Sequence, residues 1–251
     1  MARAKEVGVL VVCCGMYRSG STLQYQIASA LVERSGVGRR LGWDWASADF
    51  SLVRPRAPFG VIKVHEPHPV RGVEEGLDPE WTRYVYCHRD LRDVVVSYAA
   101  KLNVDLTRPP DDKNAAWLGV IMRAYAHFAA RRGRRVLVRG YDQFVHDVEA
   151  EVRVIAEFLG VPADAAACRE IAADVSIERQ RERMESAARA TSTKIESASL
   201  VHHNHIRDGR SGQWREQLPA PWVEHVEKQY GWWLRANGYE PAAARAVAGA
   251  R

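Results

Sequence analysis

The sequence predicts an α/β fold of three layers, a central parallel β-sheet flanked by helices on both faces. Three observations carry that expectation. Short apolar runs rich in β-branched residues recur at Val7–Cys13, Phe59–His65, Arg83–Cys87 and Arg135–Val138. Segments of helical apolar spacing lie between them, and strands alternating with helices imply a parallel sheet covered on both faces. The first run leads at once into a glycine-bearing loop, Gly15–Gly20, and then a helical pattern at Leu23, Ile27, Ala30 and Leu31. Strand, glycine loop and helix together suit a phosphate, because close backbone approach and a helix N-terminus both favour an anion.

Taken in order, Val7–Cys13 is a continuous apolar run of strand length. Arg3 and Lys5 ahead of it faintly imitate a secretory leader. The run is short and leads into Arg18 rather than a small-residue cleavage site, so it reads as a buried strand. Phe59–His65, Arg83–Cys87 and Arg135–Val138 read as the second, third and fourth strands. Helices are expected at Leu91–Leu102, Asn114–Arg131 and Asp142–Leu159, the last ended by Gly160 and Pro162. Further helices are expected at Ala163–Asp174, Ser176–Ala188 and Pro221–Asn237. Arg189–Gly212 is polar and weakly patterned and reads as a loop, and one that long in a compact domain is functional or mobile. No repeat, low-complexity tract or linker interrupts the chain, so 1–251 reads as a single domain. That length buries about three quarters of the unfolded surface.

The hydrophobic share of 47% and charged share of 27% are those of a globular protein. A net charge of +5 suits an anionic ligand. It is too modest to argue for nucleic acid, and no basic stretch is interleaved with stacking aromatics. Cys13, Cys14, Cys87 and Cys168 show no metal-ligand spacing, which favours a reduced, cytoplasmic setting. No apolar run approaches the roughly 18 residues of a membrane span, so no membrane partner is expected.

The loop reads Gly15-Met16-Tyr17-Arg18-Ser19-Gly20-Ser21-Thr22. Against GxxxxGK[ST] it matches both glycines and the last hydroxyl, but Ser21 stands where a nucleotide triphosphatase needs its lysine. The strong cation sits inside the loop as Arg18, where it can neutralise the oxygen between a 5′-phosphate and a leaving group without a metal. The plain alternative is a glycine turn with a solvated arginine. Arg18-Ser19-Gly20-Ser21-Thr22 resembles the 5′-phosphosulfate loop, [KR]-[ST]-G-[ST]-[ST], of sulfotransferases that use 3′-phosphoadenosine 5′-phosphosulfate (PAPS). That resemblance implies a P-loop-like fold.

Two further segments extend it. His88-Arg89-Asp90-Leu91-Arg92-Asp93-Val94-Val95-Val96-Ser97 follows a predicted strand and opens a helix, and it resembles the family's 3′-phosphate motif, R-D-P-R-D-V-x-V-S. The resemblance implies that Arg89 and Ser97 hold the 3′-phosphate. Arg92 and Asp93 fit equally a helix start that laces itself together with ion pairs. Arg207-Asp208-Gly209-Arg210-Ser211-Gly212-Gln213-Trp214 is similar to the family's C-terminal R-K-G-x-x-G-D-W. It implies cofactor contacts from Arg207, Asp208 and Gly209. Asp208 and Gln213 depart from the pattern, and Asp208 removes a cation beside the 3′-phosphate. Tyr141-Asp142 resembles the segment whose tyrosine contacts adenine. Leu23 replaces an adenine-stacking tryptophan, so any contact there is apolar. The likeness runs from about Val7 to Trp214.

Sulfuryl transfer needs an in-line acceptor, removal of its proton and charge neutralisation on the departing phosphate. Val61-Ile62-Lys63-Val64-His65-Glu66-Pro67 resembles the family's I-K-T-H-x-P stretch, which carries the base. His65 is therefore the expected base, with a pKa ordinarily near 6.5. Lys63, two residues earlier on a strand, points to the same face. Glu66 either orients His65 or replaces it. His202, His203 and His205 tempt a metal reading, but no cysteine or fourth ligand accompanies them, and no metal is expected. Trp43, Trp45, Trp81 and Trp117 are candidates for an acceptor wall, but aromatics this frequent are more often core, and none is assigned a role.

The sequence thus points to transfer of a sulfuryl group from PAPS to a hydroxyl or amine of a small-molecule or carbohydrate acceptor. The product is adenosine 3′,5′-bisphosphate. The alternatives are a small-molecule kinase, against which Ser21 argues, and a nucleotide-binding protein of the same fold without turnover.

Overall fold

The computed structural model describes residues 8–43, 58–64, 81–190, 200 and 209–242. The elements run β1 (Val9–Gly15), α1 (Ser21–Arg34), β2 (Gly38–Trp43), β3 (Phe59–Lys63), β4 (Thr82–His88), α2 (Leu91–Leu102) and α3 (Ala116–Ala129). They continue as β5 (Val136–Gly140), α4 (Tyr141–Phe144), α5 (Val148–Leu159), α6 (Ala165–Asp174), α7 (Ile177–Ala190), α8 (Trp214–Gln217) and α9 (Ala220–Ala236).

The sheet has the order β2-β3-β1-β4-β5, and every pairing in it is parallel. Leu10, Val12 and Cys14 on β1 meet Ile62, Tyr84 and Tyr86 under α2, α3 and α9. Val11 and Cys13 meet Val61 and Val85 under α1, α5 and α6. The alternation of β1 side chains between two buried faces makes the expected three layers. It is also why β1 reads as an unbroken apolar run.

β2 was not expected. Its sequence, Gly-Arg-Arg-Leu-Gly-Trp, has no apolar run, and it forms one edge of the sheet. Arg40 there forks onto Glu33 of α1 at 2.6 Å, and a charged edge of this kind also resists pairing with other chains. The helix expected over Asp142–Leu159 is two helices. Asp147 breaks it, since its carboxylate caps α5 by accepting from Ala150 N at 2.8 Å. Gly160, at φ 70°, ends α5 where the sequence placed the stop.

Glu151, itself buried, ties the layers together under the loop that follows β1. It accepts from Gln24 Nε2 of α1 at 2.8 Å and pairs with Arg139 of β5 at 2.8 Å. The four cysteines are buried free thiols. Among the described residues no helix is long and apolar enough to cross a membrane.

Candidate active site

β1 is the central strand, and its C-terminal end is where ligands of such sheets gather. Gly15 lets the chain leave the sheet: a Cβ there would lie 2.4 Å from Cys87 O. The loop then turns through two left-handed residues, Arg18 at φ 61° and Gly20 at φ 90°. Arginine is rare in that region, so its backbone strain sits at the loop apex. Ser19 does not face outward. Its hydroxyl is fully buried, 2.6 Å from Met16 O and 3.0 Å from Cys87 O, and it braces the loop from beneath. Ser21 and Thr22 open α1. No side chain caps this helix and no acidic residue lies in its first turn, so its leading amides are left for an anion.

The second motif leaves the neighbouring strand. Arg89 follows β4 directly, and its side chain is 7% exposed. One Nη donates to Arg210 O at 2.7 Å and the other approaches Arg18 O at 3.4 Å. The guanidinium lies 4.4 Å from the centre of the Tyr141 ring and 3.5 Å from Asp93. Its Nε is buried with no hydrogen-bond partner among the described residues. Ser97, two turns into α2, accepts from Arg18 Nε at 3.0 Å, so the two phosphate motifs touch.

Arg92 and Asp93 separate into two roles. Arg92 is completely buried, paired with Asp90 at 2.7 Å and Glu227 at 2.6 Å, and it lies 3.7 Å from the Trp214 ring. It holds α2, α8 and α9 together. Asp93 accepts from Gly212 N at 2.7 Å and Trp214 N at 2.9 Å. Burial pushes its carboxyl above the ordinary value, against the pull of Arg89 and the two amides. That role is not legible in sequence, because its partners lie about 120 residues away in the chain and are backbone groups.

The Gly209–Trp214 segment closes the site. Tyr141 donates to Gly209 O at 2.8 Å, and Gly209 takes φ 71° so close to Ile177 that a Cβ would lie 2.5 Å from it. A cavity of about 330 Å³ results. Arg18, Gly20, Thr22, Arg89 and Ser97 line it together with Tyr141 and Gly209. Its apolar wall is Leu23 with Val145, Val148, Val175 and Ile177, the last four missed by sequence reading. Ser21 heads α1 at the cavity's edge without lining it.

Lys63 ends β3, opposite Cys13 of β1 in register, and it is 1% exposed. Burial pushes its ammonium down to about 8, and the like charge of Arg18 adds to that push. The expected base His65, its neighbour Glu66, and Arg207 and Asp208 lie outside the described residues, as do His202, His203 and His205.

A cavity with arginines and hydroxyls on one part of its lining and an apolar wall beside them suits a nucleotide at the end of an α/β sheet. The family model for the sulfotransferase domain matches residues 10–238. The chain belongs to that family. A comparison with curated protein sequences finds no match. Among solved structures, retinol dehydratase in complex with androsterone and PAP is similar at a TM-score of 0.61 and 16% identity, over 93% of this chain and 81% of that one. Retinol dehydratase with retinol and PAP matches at the same TM-score, 0.61, over 82% of its length. A mouse sulfotransferase complexed with PAP matches at 0.57 and 14% identity, over 89% of this chain and 83% of that one.

Proposed function

We propose that this chain is a PAPS-dependent sulfotransferase acting on a small-molecule acceptor. The carrying observation is the buried Nε of Arg89, which has no hydrogen-bond partner among the described residues and belongs to a cavity that Ser97, Tyr141, Arg18 and the uncapped start of α1 also line. A buried arginine nitrogen left without an acceptor is costly unless a ligand supplies one. A nucleotide carrying phosphates at both 3′ and 5′ positions matches that donor set, and a triphosphate does not, because Ser21 holds the place of the required lysine. Gly20 fits the same reading. A Cβ there would lie 2.9 Å from Phe144 and 3.0 Å from Tyr141, so only glycine keeps the cradle open.

Arg89 and Ser97 hold the 3′-phosphate, and Tyr141 with Leu23 borders the adenine. Arg18, Ser21 and Thr22, with the first amides of α1, hold the 5′ end. Bound there, PAPS supplies the activated sulfuryl group. Lys63 and Arg18 neutralise negative charge at the departing oxygen, and His65 accepts the acceptor's proton. Of Arg207, Asp208 and Gly209, the last shapes the cavity through its positive φ. The solved neighbours, crystallised with PAP and with androsterone or retinol, support a small-molecule acceptor.

The test is to mix purified protein with PAPS and a panel of alcohols, phenols and amines and look for products heavier by one sulfuryl group. Transfer to any of them, lost with His65→Ala, is expected. No transfer, with ATP bound in preference to adenosine 3′,5′-bisphosphate, overturns the reading. A His65→Ala protein with full kcat removes only the base.

A further inference from the structure

A second cavity, of about 500 Å³, borders the Gly209–Trp214 segment. Ser211 and Gly212 line it where Gly209 and Gln213 line the nucleotide cavity, and Asp93 lines both. Its other walls are His88 and Asp90 at the end of β4, Asp142 and Gln143 of α4, and residues 237–240 after α9. The nucleotide cavity has an apolar wall, but the described residues that line this one include no aliphatic side chain. They set the carboxylates of Asp90, Asp93, Asp142 and Glu240 against one guanidinium, that of Arg215. Burial first, then Arg132 and Arg139, push the His88 imidazole down to about 4, so it adds no positive charge at neutral pH.

Two of the carboxylates are already engaged. Asp90 accepts from Arg92 through both oxygens, and Asp93 holds the amides of Gly212 and Trp214. Asp142 differs. Its Oδ2 is buried with no hydrogen-bond partner, and it forms no ion pair among the described residues. Ser211 Oγ is likewise buried without a partner among them. His88, itself 4% exposed, shares Nδ1 with the Tyr239 hydroxyl at 3.2 Å, and its Nε2 has no partner among the described residues. At the nucleotide cavity α4 and the segment are joined, since Tyr141 donates to Gly209 O at 2.8 Å. Asp142 and Ser211, a residue or two further along each, both line the second cavity and share no hydrogen bond.

Buried oxygens without a donor are costly unless a ligand supplies one. An aspartate carboxylate turns easily about χ2, so Oδ2 can meet a ligand in the cavity that Asp142 lines with no change of backbone. The excess of carboxylates makes that ligand a cation. A metal ion does not suit, because among the described residues no three metal-ligating side chains converge. The volume is that of a small organic molecule, and the hydroxyl, amide and imidazole groups of the lining suit one that carries hydroxyls.

We propose that this cavity is a second binding site, for a small hydroxylated primary amine, with Asp142 as counter-ion to the ammonium and Ser211 as partner to a hydroxyl. Such a ligand ties α4 to the Gly209–Trp214 segment beside the Tyr141–Gly209 bond, and so helps to order residues that face the nucleotide. Binding at either cavity therefore tightens binding at the other, and by the same factor. That coupling, though not the site, rests on the sulfotransferase reading.

The test is an amide NMR titration in amine-free buffer at neutral pH, with 2-amino-1,3-propanediol and with glycerol, in which a hydroxyl replaces the ammonium. The amine shifts the amides of Gly140, Gly212 and Gly238, which line the cavity, and binds roughly tenfold more tightly than glycerol, the scale of one charged hydrogen bond. Asp142→Asn brings the two ligands to parity and, with no amine present, leaves the affinity for adenosine 3′,5′-bisphosphate unchanged. Saturating amine tightens the bisphosphate roughly fivefold by calorimetry. Equal binding of amine and glycerol to the wild type overturns the site, whatever the variant does. So do shifts at Gly20 and Thr22 in place of the three glycines, which would put the amine in the nucleotide cavity. An amine bound at the three glycines without effect on the bisphosphate overturns the coupling. A protein that binds the amine there but no bisphosphate overturns the sulfotransferase reading and leaves the site standing.

Discussion

Two glycine-bearing segments meet at the cavity, and they are held by different means. Gly15–Thr22 grows out of the central strand and is braced from inside: Ser19 is buried against Met16 and Cys87, and Gly15 packs onto the β4 backbone. Gly209–Trp214 is fastened where side chains of other elements catch its backbone and, at its end, by the Trp214 ring buried against Arg92. Tyr141 takes Gly209 O, Arg89 takes Arg210 O, and Asp93 takes the amides of Gly212 and Trp214. The first segment is braced by the fold itself, so its geometry should not depend on a bound ligand. The second is ordered by the same residues that face the ligand, so substitutions there strike affinity before stability.

The sharpest way to break that distinction is Arg89→Ala. It removes the cation expected to meet the 3′-phosphate and one of the fasteners together. Affinity for adenosine 3′,5′-bisphosphate should fall by about 3 kcal/mol, roughly 100-fold, by calorimetry. A loss of the same size in unfolding free energy with affinity intact would make Arg89 structural. Asp93→Asn comes next. One of its two acceptor oxygens becomes a donor facing an amide, so the segment loosens, and nucleotide affinity should drop roughly tenfold with little change in the urea midpoint.

The pH dependence follows from Lys63. Its pKa is depressed from the ordinary lysine value to about 8, so the ammonium is charged below that pH and neutral above it. If its charge serves transfer, kcat/KM for PAPS, which reports the free enzyme, should be greatest between the ordinary histidine range near 6.5, below which the base His65 is protonated, and pH 8, and decline as pH rises through 8. A profile with no fall between pH 8 and pH 10 would remove Lys63 from the chemistry. The smallest effect is expected at Ser19→Ala, which leaves buried carbonyls short of a donor. Stability should fall by about 1 kcal/mol in denaturant unfolding, with nucleotide affinity changed by no more than roughly threefold. The reverse pattern would turn the comparison of the two segments around.

Much of this was legible in the chain because both faces of the sheet are covered. β1, β3, β4 and β5 carry apolar runs, so their positions follow from composition and length. β2 carries two arginines and two glycines among its six residues, so it shows no apolar run and escaped notice. The split between α4 and α5 was hidden because Asp147 reads as an ordinary polar residue until its carboxylate is seen capping Ala150. Of the site, Arg18, Gly20, Thr22, Arg89, Ser97, Tyr141 and Gly209 were named from motifs and line one cavity. Ser19 belongs to the same motif but turns into the core, since a motif records residue type and not the face a side chain takes. Asp93 and Arg92 looked alike in sequence, and only the tertiary partners separate a fastener of the ligand loop from a pin between helices.

The central claim is that the cavity reads a 3′-phosphate. The direct measurement is calorimetric comparison of adenosine 3′,5′-bisphosphate with adenosine 5′-monophosphate on the wild-type protein. The bisphosphate should bind roughly 100-fold more tightly, matching the loss expected on removing Arg89. Equal affinities for the two nucleotides would contradict the account.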